Sequence, residues 1–316
     1  MRSHSEHVPA ATQAVPADLE ATPTAELRAE ERVLTTGQIA WRRFKRHKLA
    51  IASGIALIFM SVAVIAAPLL TPYTFSEQNL AEVMQGPSAK HWLGTDNLGR
   101  DVFTRLLYGG RISLLVGVAV AISAVAVGTV VGSLAGYYGG WLDNVLMRVT
   151  DLFLSIPFLV VLIVASKLLG GSVLDIVFIL SLVFWMPAAR IVRGVFLSLK
   201  EKEFVESARS VGGSSARIIF FHILPNVMGP IIVIATLDVA NAILTESALS
   251  FLGFGVQLPT PTWGNLLRDA QNFILLAPGL VWFPGLAILI TVLAVNFLGD
   301  GLRDAFDPHQ KLGVTP

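Results

Sequence analysis

The sequence predicts an all-α integral membrane protein with six transmembrane helices, and three observations carry that reading. Of 316 residues, 54% are apolar and only 14% are Asp, Glu, Lys or Arg, against roughly 45–50% and about 25% in soluble domains. A spanning helix takes about 20 apolar residues, and uncharged runs of that order recur along the chain. Lys and Arg gather beside one set of their ends. The net charge of +1 provides no basic surface for nucleic acid. The absence of Cys excludes disulfides, thiolate metal sites and a Cys nucleophile.

Residues 1–40 are polar and rich in Ala, Pro, Thr and Glu, which reads as a disordered cytoplasmic tail with a helix starting near Thr36. Residues 41–72 hold a basic flank and the first span, the uncharged run Leu49 to Leu70. Residues 73–110 form an extracytoplasmic segment, and 111–305 a core of five further spans. The run Ile112 to Leu142 exceeds one span and must turn near Gly139-Gly140. Inside it Gly128, Gly132 and Gly136 recur every four residues, leaving bare backbone on one face for close helix approach. A third span is expected between Asp151 and Lys167, and a fourth after Asp175, with Gly170-Gly171 as the turn between them. The fifth runs from Ile218 past Asp238, and the sixth lies in Ala270 to Gly299. Residues 306–316 form a second cytoplasmic tail.

Orientation follows from Lys and Arg in the short loops. With the N-terminus inside, 17 of the 23 basic residues fall on the inner side and 6 on the outer. The cluster Arg42-Arg43-Phe44-Lys45-Arg46 beside the first span fixes the sign and also suits anionic lipid. The chain therefore reads as a multi-pass plasma- or inner-membrane protein with both termini cytoplasmic.

Enzyme chemistry finds no support. No Gly-Lys pair exists, which excludes a P-loop for ATP. The six His contain no helical i, i+4 pair, and no Gly-x-Ser-x-Gly elbow occurs. No metal ligand set and no cofactor are expected on this chain. Ionisable groups at membrane depth are functional candidates by default. Asp238, Asn241 and Thr245 form one polar stripe that either lines a solvated path or bonds to a neighbouring helix. Glu246 is rotated about 100° from that stripe and fits a cap or anchor near the outer end.

Between the fourth and fifth spans, Lys200 to Arg217 leaves the membrane and returns. Glu203 to Val211 can form a surface rod of roughly 15 Å, stopped by Gly212-Gly213 and followed by Ser214 or Ser215 as the next cap. Phe204 and Val205 then need cover. By itself the segment fits side chains dipping into the lipid interface.

Glu206-Ser207-Ala208, then Gly212, then Leu224-Pro225, resembles the signature loop of importer-type ABC permeases, with Ser207 where the family has Ala. Leu93-Gly94-Thr95-Asp96-Asn97-Leu98-Gly99-Arg100-Asp101, Leu249 to Gly255 with Pro261-Thr262-Trp263-Gly264, and Asn296 to Asp300 running on to Asp307-Pro308 resemble the C-type permease of dipeptide, oligopeptide and nickel importers. The resemblance implies a type I ABC importer permease fold in which residues 203–213 are a coupling helix. Docking on an ATP-hydrolysing subunit would then fall to Phe204, Val205, Glu206, Ser207, Ala208, Gly212, Leu224 and Pro225. It implies a homologous permease partner, two ATPase subunits that carry the ATP and Mg, an extracytoplasmic binding protein and a peptide substrate, and alternating access between inward- and outward-open states. Asp96, Arg100, Asp101, Phe251 and Trp263 are candidate binding-protein or gate contacts, although loop stapling is the favoured reading of Asp96, Arg100 and Asp101, and packing suits Leu249 to Gly264 as well as gating does. Glutathione or nickel chelates are alternative cargoes. An ion-coupled secondary transporter using Asp238 and Glu246 is the rival mechanism, and a membrane scaffold without transport is a third reading.

Overall fold

The structure, a computed structural model, describes residues 36–306. The tail readings for 1–35 and 307–316, and the Asp307-Pro308 ending, lie outside the described residues. Regular structure among the described residues is helical, apart from an isolated bridge between Thr95 and Asp101. In chain order the helices are α1 (Thr36–Phe44), α2 (Lys48–Ile65), α3 (Ala67–Leu70), α4 (Val102–Tyr138), α5 (Gly140–Ser155), α6 (Phe158–Leu169), α7 (Val173–Leu199), α8 (Glu203–Ser210), α9 (Ser215–Arg217), α10 (Leu224–Phe251), α11 (Trp263–Ala270) and α12 (Gly279–Phe306). A π-helical turn, Ile218–Ile223, joins α9 to α10.

Five helical segments are long and apolar enough to cross a bilayer: Lys48–Ile65, Val102–Tyr138, Val173–Leu199, Ser215–Phe251 and Gly279–Phe306. The α5/α6 pair supplies a sixth crossing if its two halves count as one span. The glycine stripe sets the central packing. A Cβ at Gly128 would meet Ala188, one at Gly132 would meet Val192, and one at Gly136 would meet Phe196. The constant offset of 60 residues makes α4 and α7 parallel. Gly117 faces Ile243, and Gly299 faces Leu237, while Ser113 bonds to Glu246. Together these pairs run α10 antiparallel to both α4 and α12. Met60 meets Thr291 and Ala50 meets Gly301, so α2 is antiparallel to α12. The ends near residues 48, 138, 199, 224 and 306 therefore lie together, and those near 65, 102, 173, 251 and 279 lie at the opposite face.

One expected span is corrected, and two helices extend past the uncharged runs that mark their spans. α4 begins at Val102, ten residues before the uncharged run from Ile112, because Asp101 accepts the Thr104 N–H at 2.7 Å and caps the helix there. The expected 73–110 segment is thus a loop to Asp101 followed by the first turns of α4. The third span is not one rod from Asp151 to Lys167: α5 and α6 meet at 85°. Pro157 lacks an N–H and drives Ile156 into an extended conformation, φ −85° and ψ 133°. Two ion pairs hold α5 against α7: Arg193 to Asp143, bidentate at 2.5 and 2.6 Å, and Arg190 to Asp151. At 12 residues α6 is about 18 Å long, too short alone for a core of about 30 Å. The apolar part of α12 (Gly279–Phe306) lies inside the expected run Ala270 to Gly299 and the helix continues past it, while Thr262 and Asn265 form a capping box that starts α11 as a separate helix before it.

Candidate functional site

At the end of the bundle that holds residues 48, 138, 199, 224 and 306, α8 follows α7, with Lys202 at its start and Gly212 at φ +81° closing it, a left-handed turn that glycine adopts without strain. Its two faces are sharply different. Val205 has 0% exposure and, with Ala208, packs into one apolar cluster with Val192, Phe196, Ile218 and Ile223. Phe204 is 41% exposed and Val211 85%, and Glu206 and Ser207 are also exposed. The expectation that both Phe204 and Val205 need an outside cover is corrected for Val205, which the chain covers itself. The outward stripe is Phe204, Ser207 and Val211, at i, i+3 and i+7. Leu224, half-buried, and Pro225, exposed, begin α10 just beyond the π-helical turn.

In the middle of α10 the expected polar stripe splits. Asp238 is buried, and its Oδ2 has no hydrogen-bond partner among the described residues. Asn241, at the edge of the same face, is exposed, and Thr245 returns its hydroxyl to the Asn241 carbonyl at 2.8 Å. Glu246 is not a terminal cap or anchor. It has 0% exposure, and its two oxygens accept from Ser113 Oγ of α4 at 3.2 Å and Ser250 Oγ of α10 at 2.6 Å.

At the opposite end of the bundle, near residues 65, 102, 173, 251 and 279, the side chains quoted as contacts are mostly engaged inside the chain. Asp96 accepts from Arg100 Nε at 2.7 Å, Arg105 Nη1 at 2.6 Å, and the N–H groups of Leu98 and Arg100 at 2.9 and 3.0 Å. Both arginines reach on to Asp269 of α11 at 3.3 Å. Asp101 pairs with His91 Nδ1 at 2.8 Å, and His91 Nε2 lies 3.3 Å from Glu82. At Glu82, hydrogen bonds from Lys90 and then His91 hold the carboxyl below its ordinary range, and the same contact raises Lys90. Trp263 is 1% exposed, its indole donating to the Leu106 carbonyl at 3.0 Å. Asp96, Arg100, Asp101 and Trp263 thus staple the outer loop, α4 and α11 together, whereas Phe251, 41% exposed at the end of α10, faces outward. Sequence reasoning gave no role to Ser113, Ser250 or Asp269: Ser250 was read only as part of the Leu249 to Gly255 motif, and nothing local marks the other two. Asp269 lies 169 residues from Arg100.

Five helices long and apolar enough to cross a bilayer, packed along a tight glycine seam, make this a multi-pass membrane protein. The family model "Binding-protein-dependent transport system inner membrane component" matches residues 128–312, and "N-terminal TM domain of oligopeptide transport permease C" matches 35–87. The chain belongs to the family of binding-protein-dependent transport system inner membrane components. It is 45% identical to the dipeptide transport system permease protein DppC of Alkalihalophilus pseudofirmus, over 86% of this chain and 90% of that one. With the protein of that name from Bacillus subtilis it shares 45%, over 88% and 87%. The glutathione transport system permease protein GsiD of Pectobacterium atrosepticum is 41% identical, over 89% and 94%. Among solved structures, the MetNI methionine ABC transporter, in inward facing conformations, shares the fold at TM-score 0.51 and 17% identity, over 64% of this chain and 96% of that one.

Proposed function

We propose that this chain is the permease subunit of an ATP-driven peptide importer, lining the pathway with a homologous permease. It is non-catalytic. Two cytoplasmic ATPase subunits bind the ATP and Mg, and an extracytoplasmic binding protein delivers the peptide. Both termini are cytoplasmic in this reading, which the inner-side bias of Lys and Arg supports. The observation that carries the proposal is the two-faced α8: Val205 and Ala208 fix it to α7 and the base of α10, while Phe204, Ser207 and Val211 are presented outward with Glu206 beside them. A rod so held transmits a push from a docked subunit into the bundle instead of sliding in the lipid interface. For the pathway, the split of the stripe favours Asn241 and Thr245 over the buried Asp238 and Glu246.

Dipeptide is the first cargo to test because the relatives so named share 45% identity. Glutathione, itself a tripeptide, is the second because of the relatives at 41–42%. In proteoliposomes holding the assembled transporter, Glu206→Lys should abolish peptide uptake driven by ATP while the complex still assembles. Unchanged uptake per ATP hydrolysed would remove Glu206 from the coupling contact. Uptake that persists without ATP and collapses with an uncoupler would replace the proposal by ion-coupled transport.

A further inference from the structure

We propose that Glu246 is a positioning residue for transport: through Ser113 and Ser250 it fixes the N-terminal end of α11 as the pivot about which the outer end of the pathway opens. The transport element rests on the function proposed above. The seat itself rests on geometry. Each of the two hydroxyls bonded to Glu246 works twice, donating to the carboxyl and accepting a backbone N–H. Ser113 Oγ accepts from Trp263, the first residue of α11, at 3.2 Å, and Ser250 Oγ accepts from Val256 in the preceding loop at 3.3 Å. A serine hydroxyl has a single proton, so the acceptor at Glu246 decides which way each one points. Only with the protons turned toward Glu246 are the lone pairs aimed at the loop and at α11.

The backbones at this seat have no slack. A Cβ on Gly264 would lie 2.4 Å from the Ser247 carbonyl oxygen and 2.6 Å from the Ser247 Cα, and one on Gly255 would lie 2.5 Å from the Ser250 Cα. The far end of α11 is held differently. Asp269 is partly exposed and takes both arginines at 3.3 Å, whereas Asp96 takes the same two at 2.7 and 2.6 Å. The arginines therefore stay with Asp96 when Asp269 leaves. One end of α11 is thus fixed by the Glu246 bonds, and the other is held by the longer Asp269 contacts together with the buried Leu266 and Ala270, which opening at that end must expose.

Because the chain has no Cys, spin labels at Gln271→Cys, exposed just past α11, and Leu115→Cys, exposed on α4, report the seat in the assembled transporter in lipid nanodiscs. The remaining subunits are made cysteine-free. The wild-type seat should give one narrow distance distribution without nucleotide. Glu246→Ala and Ser113→Ala should broaden it and lower dipeptide uptake per ATP about tenfold, the equilibrium shift expected from losing one buried hydrogen-bond acceptor or its bridge. Glu246→Gln, which keeps one acceptor oxygen but sets an amide NH2 donor against the other serine, should give values of both between wild type and Glu246→Ala. A merely structural role would lower thermal stability yet leave the label distribution and the uptake per ATP at wild-type values, and that result overturns the proposal. If Glu246→Ala does not assemble, Ser113→Ala carries the same decision, since it deletes only the bridge. A wild-type complex without ATP-driven uptake would sink the transport reading, while the label distances would still decide whether Glu246 holds the seat.

Discussion

Adding one methyl group to the glycine seam should separate two spans. At Gly132 an alanine Cβ would lie 2.5 Å from the Ala189 carbonyl oxygen, 2.9 Å from Val192 Cβ and 3.0 Å from the Arg193 nitrogen. Two of these three atoms are α7 backbone, so no rotamer change relieves the clash. Ordinary contact begins at 3.4 Å, and the helices must therefore part by about 0.9 Å at this level. A radial gap of 0.5–1 Å forfeits about a quarter to a half of each dispersion contact along the seam, and overpacking of this kind costs about 1–3 kcal/mol. Gly194→Ala on α7 is the matched control, because a Cβ there meets nothing within 4 Å. Thermal unfolding of the purified complex, followed by exposure of buried cysteines placed on α7, should show Gly132→Ala lowered by several degrees and Gly194→Ala unchanged or raised. Gly128→Ala and Gly136→Ala press on the same helix, so the triple variant should cost less than the sum of its parts. If Gly132→Ala melts with Gly194→Ala, the seam is not the close-packed contact described here.

Three further outcomes follow from the ends of the bundle. Val205→Ala should destabilise the subunit by about 1–3 kcal/mol, because it empties part of the inner cluster; Phe204→Ala should leave its melting unchanged while weakening ATPase association, measured by co-purification. Arg105→Met, which leaves Asp96 and Asp269 paired with Arg100 but removes the buried charge-assisted bond to Asp96, should cost about 1–3 kcal/mol in thermal unfolding, and Asp269→Ala less because its bonds are longer and partly exposed. Glu82 titrates below its ordinary value of 4.5 because Lys90 and His91 donate to it. Its contribution to the outer loop is therefore complete above about pH 4.5 and disappears as pH falls through the lowered value. Hydrogen exchange at residues 80–83 should rise across that acidic window, and Glu82→Gln should show the high rate at all pH.

The parts of this architecture that were legible in the sequence are those governed by local chemistry. Gly139 ends α4 because the glycine pair at φ +65° and +57° turns the chain where the uncharged run is too long for one span. The every-fourth-residue spacing of Gly128, Gly132 and Gly136 marked the face that packs on α7, and Gly212 marked the end of α8. Pro157 was equally visible, yet its consequence was missed. An uncharged stretch reads as one span by composition, and hydropathy is blind to a change of direction. The same blindness applied to α8, where Phe204 and Val205 are adjacent apolar residues. Their opposite fates depend on whether Ile218, Ile219 and Ile223 return to the same side of the rod. Glu246 was misplaced for a related reason: its partners Ser113 and Ser250 are unremarkable serines until α4 and α10 cross, and the crossing is a property of the whole bundle.

Those long-range contacts connect the two ends of the molecule. Val205 and Ala208 share a cluster with Val192 and Phe196 of α7 and with Ile218, Ile219 and Ile223 at the base of α10, so a displacement of α8 reaches α7 and α10 at once. Through the glycine seam α7 cannot shift by even a methyl radius without carrying α4 along. The helical stretch from Ser215 to Phe251 is continuous, and its outer part bears Glu246, which bonds α4 through Ser113. The inner rod, α7, α4 and α10 thus move as one body. Motion applied to it must be taken up at joints that are weaker: the 85° corner at Pro157 and the 3.3 Å contacts of Asp269. A push on α8 would then be expressed at the opposite end of the bundle as movement of the Asp269 end of α11 against the α4/α7/α10 body, with α12 held to α10 by the close contacts at Gly299 and Gly229.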